Sequence, residues 1–222
     1  DLIKTLKIPE EKITVIYPRA NPEFRKINSD DQRLQDFKIK YHLEFPFIIY
    51  LGTLEPRKNI LAVIQAFNWL KVNSQFQDLR LIIAGRPGWL YREDIKAAQN
   101  SPNRQHIIFW GPVKNRERVF LYNLAAAFVY PSFFEGFGFP PLEAQACGTP
   151  VIVSNRTSLP EVIGDSGMLI DPWRLADLTH ALRQILTSHS LKSKLIRDGF
   201  KNVKRFTWLE AGRKILASFK NV

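Results

Sequence analysis

The sequence predicts an α/β fold, a parallel sheet with helices on both faces. Three observations carry that prediction. Short runs such as Phe47–Leu51 are apolar at every position, as strands covered on both faces are. Each run stops at glycine or proline, as at Gly52, Gly85, Gly111 and Pro131. Between the runs lie segments with helical apolar spacing, so strand and helix alternate in the Rossmann-like manner.

In chain order, Ile13–Tyr17 is expected as a short strand halted by Pro18. Residues 28–43 are polar and read as a mobile connector with some helix. Phe47–Leu51 is the first buried strand. The loop Gly52–Asn59 follows, then a helix carrying Ile60, Leu61, Ile64, Phe67 and Leu70 on one stripe. Leu79–Ala84 is a strand and Tyr91–Gln99 a helix. His106–Trp110 is a strand, and Arg116–Ala127 a helix that turns Val119, Phe120, Leu121 and Leu124 inward. Ala127–Tyr130, Pro150–Val153 and Met168–Ile170 complete the strands, with a helix from Pro141 between the first two. Helices over 173–187, 190–204 and 207–219 finish the chain. Ligands of such sheets bind at the carboxyl ends of the strands, where strand order reverses. One rim should therefore hold Gly52–Asn59, Gly85–Trp89, Gly111–Asn115 and Pro131–Glu143.

Composition bounds the function classes. The 222 residues are 45% hydrophobic and 24% charged, as in ordinary globular proteins. No apolar run has transmembrane length and no signal peptide is recognisable. The first residues read as the end of something longer. The single cysteine, Cys147, sits between Ala146 and Gly148 and is expected as a small buried packing residue; its use suits a reducing cytoplasm. A net charge of +11 favours anionic partners, so contact with an anionic membrane surface is an expectation. No nucleic-acid module is recognisable and no nucleic-acid partner is expected. The four histidines, His42, His106, His180 and His189, lack ligand spacing, and no metal site is expected.

Two groups of residues point to chemistry. Arg57 and Lys58 follow a strand and turn, and Lys58 and Asn59 are expected to open a helix, where cations make electrostatic sense if a strong anion docks. The bland reading is a solvated surface pair. Glu135 and Glu143 stand eight positions apart, with two glycines and two prolines between them. Their carboxylates suit the hydroxyls of ribose and sugar. Glu143 is expected in a helix first turn, where an acid complements the dipole in any case. A glycosidase acid/base pair is disfavoured, because both carboxylates share one short loop and Arg57–Lys58 would be left unexplained. Gly136 and Gly138 fit a close backbone approach to a ligand. Phe133, Phe134, Phe137 and Phe139 wall the pocket, with one or two of them in the core. A Walker loop, a Gly-x-Ser-x-Gly turn and a full dinucleotide fingerprint are all missing.

The frame Pro131-Ser132-x-x-Glu135-Gly136-Phe137-Gly138-x-Pro140-x-Leu142-Glu143-Ala144 resembles the signature of retaining GT-B glycosyltransferases of family 4, the glycosyl transferases group 1. Gly148–Val151, Ser158–Val162, Gly164-Asp165 and Asp171-Pro172 follow as in that family. Gly52-x-Leu54-x-Pro56-Arg57-Lys58-Asn59 resembles its diphosphate loop, and Gly85–Tyr91 and Gly111–Val113 also match. The Gly85–Tyr91 segment is most similar to GDP-mannose transferases, with UDP-glucose enzymes as the rival.

The resemblance implies roles. Arg57 and Lys58 would bind the donor diphosphate and, with Glu135 beside the sugar, form the catalytic set. Gly52 belongs to the diphosphate loop. Glu143 would hold the ribose hydroxyls. Amides near Phe137, Gly138 and Phe139 would hold sugar hydroxyls, and that of Leu142 a phosphate oxygen. Gly85, Arg86, Pro112 and Val113 would frame the base. The partners implied are a GDP- or UDP-linked sugar and a saccharide or lipid-linked acceptor, with no cofactor and no metal.

By the same resemblance the chain is the C-terminal half of a GT-B fold. Residues 1–25 would be the tail from a missing N-terminal domain, 26–206 the donor-binding domain, and 207–222 a helix packing back on that N-terminal domain, which carries the acceptor. The isolated piece is expected to be inactive in transfer, and cytoplasmic or peripheral at the inner membrane face. The family has glycine where Arg19 stands, so either Arg19 is strained or the turn differs. Two other readings stay open: a donor-binding subunit completed by a partner chain, and a GT-B nucleotide-sugar epimerase.

Overall fold

The computed structural model describes residues 2–220. Asp1, Asn221 and Val222, at the ends of the expected tail and closing helix, lie outside the described residues. The order is α1 (Leu2–Leu6), α2 (Gln32–Lys40), β1 (Phe47–Leu51), α3 (Ile60–Leu70), β2 (Arg80–Ala84), α4 (Arg92–Gln99), β3 (Ile107–Gly111), α5 (Asn115–Leu124), β4 (Ala127–Tyr130) and α6 (Phe139–Ala146). Then come β5 (Val151–Ser154), α7 (Leu159–Ile163), β6 (Met168–Ile170), α8 (Leu175–Thr187), α9 (His189–Val203) and α10 (Trp208–Lys220).

The strands form one parallel sheet in the order β3-β2-β1-β4-β5-β6. Strand order reverses between β1 and β4, which is where α/β sheets open a crevice for ligands. β1, β4 and β5 are buried at every residue. One helix layer groups α3 with α4 and α8; the other groups α6 with α5 and α9. The fold is therefore the Rossmann-like α/β arrangement that the sequence predicts.

Four expectations are corrected. Ile13–Tyr17 forms no strand. Tyr17 instead packs edge-on to Phe206, ring centroids 5.8 Å apart. Residues 28–43 hold the expected stretch of helix, but it is packed on the domain rather than a mobile connector. Asp31 caps α2 through its side chain, and Phe37 and Tyr41, one turn apart, pack on Phe120 and Trp110 and cover the β3 edge of the sheet. The helix expected over Arg116–Ala127 ends at Leu124, and Ala127 opens β4. Arg19 is not among the non-glycine residues of positive φ, so the expectation of left-handed strain there falls.

Helix α10 is amphipathic in an inverted sense. Its outer face carries Trp208, Leu209, Ile215, Leu216 and Phe219, all exposed. Its inner side presents buried Ala211, and Lys214, which lies over the Tyr17 ring and donates to the Val15 carbonyl at 3.4 Å. Among the described residues, no helix is long and apolar enough to cross a membrane.

Candidate functional site

The β1 loop is built first. Tyr50, fully buried, donates its hydroxyl to the Thr53 carbonyl at 2.8 Å. Gly52 and Gly85 lie back to back: a Cβ on Gly85 would stand 1.7 Å from the Gly52 carbonyl oxygen, at a φ of +149°. Only glycine allows that approach. The chain then makes a 3-10 turn, Pro56–Lys58, and Asn59 at φ 56° and ψ 41° leads into α3. Lys58 and Asn59 therefore precede the helix rather than opening it, and Lys58 turns inward.

Lys58 is 4% exposed, which removes the reading of a solvated surface pair. Its Nζ donates to Glu135 Oε1 at 2.5 Å and to the Tyr130 hydroxyl at 2.7 Å. Burial lowers the ammonium pKa, and the Glu135 hydrogen bond opposes that. Tyr130 titrates well above the usual phenol range, because burial and the Glu135 charge both oppose phenolate. The ammonium has three donors, of which two are used. Arg57 is more open. Its Nε lies 2.7 Å from Glu55 Oε1, and its Nη1 lies 3.5 Å from Glu135 Oε1.

The β4 loop is tied to the β1 loop by backbone as well as by charge. The Phe133 amide donates to the Arg57 carbonyl and Arg57 Nη1 to the Phe134 carbonyl, both at 2.8 Å. Thr157 Oγ1 accepts from the Glu135 amide at 3.0 Å, and Ser158 Oγ donates to the Phe137 carbonyl at 2.9 Å. Gly138 ends the loop at φ +107°, where a Cβ would meet Leu159 Cδ2 at 2.6 Å. Helix α6 begins with Phe139, and Pro140 and Pro141 have no amide hydrogen. The amides of Gly138 and Phe139 are thus the free donors at its N-terminus. Leu142 is fully buried.

Glu143 is the fifth residue of α6, past the first turn, so the reading of it as a dipole-complementing acid falls. It is 6% exposed and bonds through Oε2 to the Arg118 guanidinium and, at 3.4 Å, to the Tyr122 hydroxyl, both on α5. Burial raises its carboxyl pKa, and Arg118 opposes the rise. Of the phenylalanines, Phe134 and Phe139 are exposed, whereas Phe133 stacks on Trp173 and Phe137 packs on Phe206.

The rim thus brings Gly52, Arg57, Lys58, Gly85, Glu135 and Gly138 to the switch between β1 and β4. Arg86 and Pro112 are exposed and Val113 half-buried on neighbouring loops. Sequence reasoning missed Tyr130, Arg118 and Tyr122. A signal for the last two existed: they stand four apart, on one face of a helix. Cys147 is buried as expected, and burial pushes its thiol up to about 12. No cluster of three metal-ligating side chains occurs among the described residues.

The family model described as glycosyl transferases group 1 matches residues 31–202. The chain belongs to that family. This group 1 domain is 36% identical over 184 residues to the O-antigen chain mannosyltransferase B of Escherichia coli, covering 82% of this chain and 48% of that protein. It is 33% identical over 221 residues to the serotype-specific mannosyltransferase WbdA of Escherichia coli, covering 99% of this chain and 27% of that protein. The domain therefore spans about half the length of the first relative and about a quarter of the second. A glycosyltransferase structure from Rickettsia africae shares the fold, with a TM-score of 0.87 at 22% identity over 99% of this chain and 60% of that one.

Proposed function

We propose that the domain binds a nucleoside-diphosphate hexose, GDP-mannose in preference to UDP-glucose, and serves as the donor half of a retaining transferase. The diphosphate lies against Arg57 and Lys58, the ribose on Glu143 and the sugar beside Glu135. Gly85–Arg86 and Pro112–Val113 frame the base. The observation that carries this reading is the buried Lys58 ammonium, aimed at the switch between β1 and β4 with one donor unspent. Arg57, 45% exposed at its side chain, is free to leave Glu55 and meet a phosphate oxygen. Both cations then offset charge that develops on the leaving diphosphate. The leaving phosphate takes the acceptor proton on the same face of the sugar, and no protein nucleophile or divalent ion is used.

The acceptor, a saccharide or a lipid-linked sugar, docks on an N-terminal domain that packs on the apolar face of α10, so this chain alone binds donor without transferring it. Calorimetric titration with GDP, UDP and ADP tests the reading. GDP is expected to bind the parent and to weaken strongly with Arg57→Ala. Failure of all three nucleotides to bind at about millimolar concentration refutes the site, and brisk sugar transfer by the chain alone refutes the division of labour.

A further inference from the structure

Arg118 has no role in the assignment above, yet it is built into the site with unusual care. Its side chain is 20% exposed. The guanidinium lies 5.0 Å from the centroid of the buried Phe24 ring, and Phe24 packs in turn on Tyr122. Nη1 donates to Asn115 Oδ1 at 3.2 Å, and Nη2 binds Glu143. Nε is buried with no acceptor. Burying a guanidinium is costly unless an opposite charge offsets it, and Glu143 is the carboxylate in contact. The pair is therefore the reason the arginine is tolerated there.

The geometry of the carboxylate matters more than its charge. Arg118 and Tyr122 both bind Oε2. No hydrogen bond among the described residues reaches Oε1, and the side chain is 8% exposed, so Oε1 is the carboxylate oxygen left unbound by the protein. An ionised carboxylate accepts through two oxygens. Here one is occupied from the protein side and the other is presented.

We infer that Arg118 is a positioning residue of the donor site: by gripping Glu143 Oε2 from α5, it fixes the carboxylate with Oε1 turned out to two ribose hydroxyls. This rests on the assignment of ribose to Glu143. It also sets the protonation of the acceptor group. Burial drives Glu143 toward its neutral form and Arg118 opposes that. A protonated carboxyl loses acceptor capacity and cannot serve two hydroxyls equally well. The groups facing Glu143 are Arg118 and Tyr122 from α5 and Cys147 from its own helix. Tyr122, well above the phenol range, and Cys147, up to about 12, stay neutral through the neutral range. A pH effect on ribose contact therefore belongs to Glu143, whose neutral form burial favours and Arg118 opposes.

The test compares GDP with 2′,3′-dideoxy-GDP on the full chain at pH 6, 7.5 and 9. Both nucleotides carry the same titrating phosphates, so the ratio of their affinities isolates the ribose hydroxyls. The parent is expected to prefer GDP on the order of tenfold at every pH. Arg118→Met should show a weaker preference than the parent, and one that rises with pH. Arg118→Lys, which keeps the charge, should retain most of it and guards against a folding defect in the methionine variant. Glu143→Gln should show little preference at any pH. An Arg118→Met ratio equal to the parent's at all three values overturns the inference and leaves the pair as a stitch between helices. A parent ratio of one overturns the ribose assignment itself, which is a different and distinguishable failure.

Discussion

The buried pair of Lys58 and Glu135 makes an asymmetric prediction. The two are 4% and 9% exposed and 2.5 Å apart. At an effective dielectric of about 20, unit charges at that range attract by roughly 5–7 kcal/mol. Desolvation costs several kcal/mol for each ion, so the net contribution lies near zero. Removing one partner is another matter, because the survivor stays buried and uncompensated, at about 3–5 kcal/mol. The structure says which survivor suffers more. Glu135 keeps Arg57 as a second cation at 3.5 Å. Among the described residues Lys58 keeps one hydrogen-bond partner, the Tyr130 hydroxyl, with Glu55 a weaker countercharge. Glu135→Leu is therefore expected to cost about 3–5 kcal/mol, and Lys58→Met about half that. The double variant should fall well short of the sum, near the parent, with a coupling of at least about 3 kcal/mol. Urea unfolding followed by two optical probes measures all three, and in a domain of this size each kcal/mol moves the melting temperature by about 2–4 °C. Additive losses, within about 0.5 kcal/mol, would refute the argument that the charges compensate each other. The double variant should also fail to bind GDP even if it is stable, which separates the pair's use in binding from its use in folding.

Two further predictions concern buried titratable groups. Burial pushes the Asp94 carboxyl up to about 6, and its Oδ2 has no hydrogen-bond partner. The folded state thus holds a proton that the unfolded state releases near pH 4, so the stabilisation is complete below that value and is lost as pH rises through about 6. Asp94→Asn should match the parent at pH 4 and exceed it at pH 7 by no more than about 3 kcal/mol; parallel stability curves across that range would sink the claim. The Cys147 thiol, buried and held protonated up to about 12, should react with a disulfide reagent at pH 8 only as fast as the chain unfolds, and prompt labelling of the native protein would contradict its burial.

The strands and the rim were legible in the sequence because buried parallel strands leave a local trace: five apolar residues and a glycine. The Ile13–Tyr17 segment shows the limit of that trace. It has strand-forming residues, but a strand needs an edge, and whether an edge is free is a property of the whole sheet. The polar run at 28–43 misled in the opposite direction. Its anchors, Phe37 and Tyr41, find their partners on β3 and α5, far along the chain. Arg57, Lys58, Glu135 and Glu143 stood out through their motif frames. Their pairing did not, since Lys58 meets Glu135 77 positions away and Glu143 meets Arg118 25 positions away. Charge compensation at a site is decided by which loops the sheet places side by side, and no window of sequence contains that.

The two cations of the β1 loop are already matched by two carboxylates, Arg57 by Glu55 and Lys58 by Glu135. The cluster is electrically close to neutral before a ligand arrives, although the chain as a whole carries +11. Such a cluster casts little field beyond a Debye length of about 8–10 Å. Bare phosphate and other small anions are then poorly attracted, and a donor is selected by fitting several contacts together rather than by its charge. The dependence of donor capture on ionic strength should accordingly be shallow at this loop. What slope there is comes from the lysines and arginines scattered over the surface, whose effect is on encounter and not on the bound state.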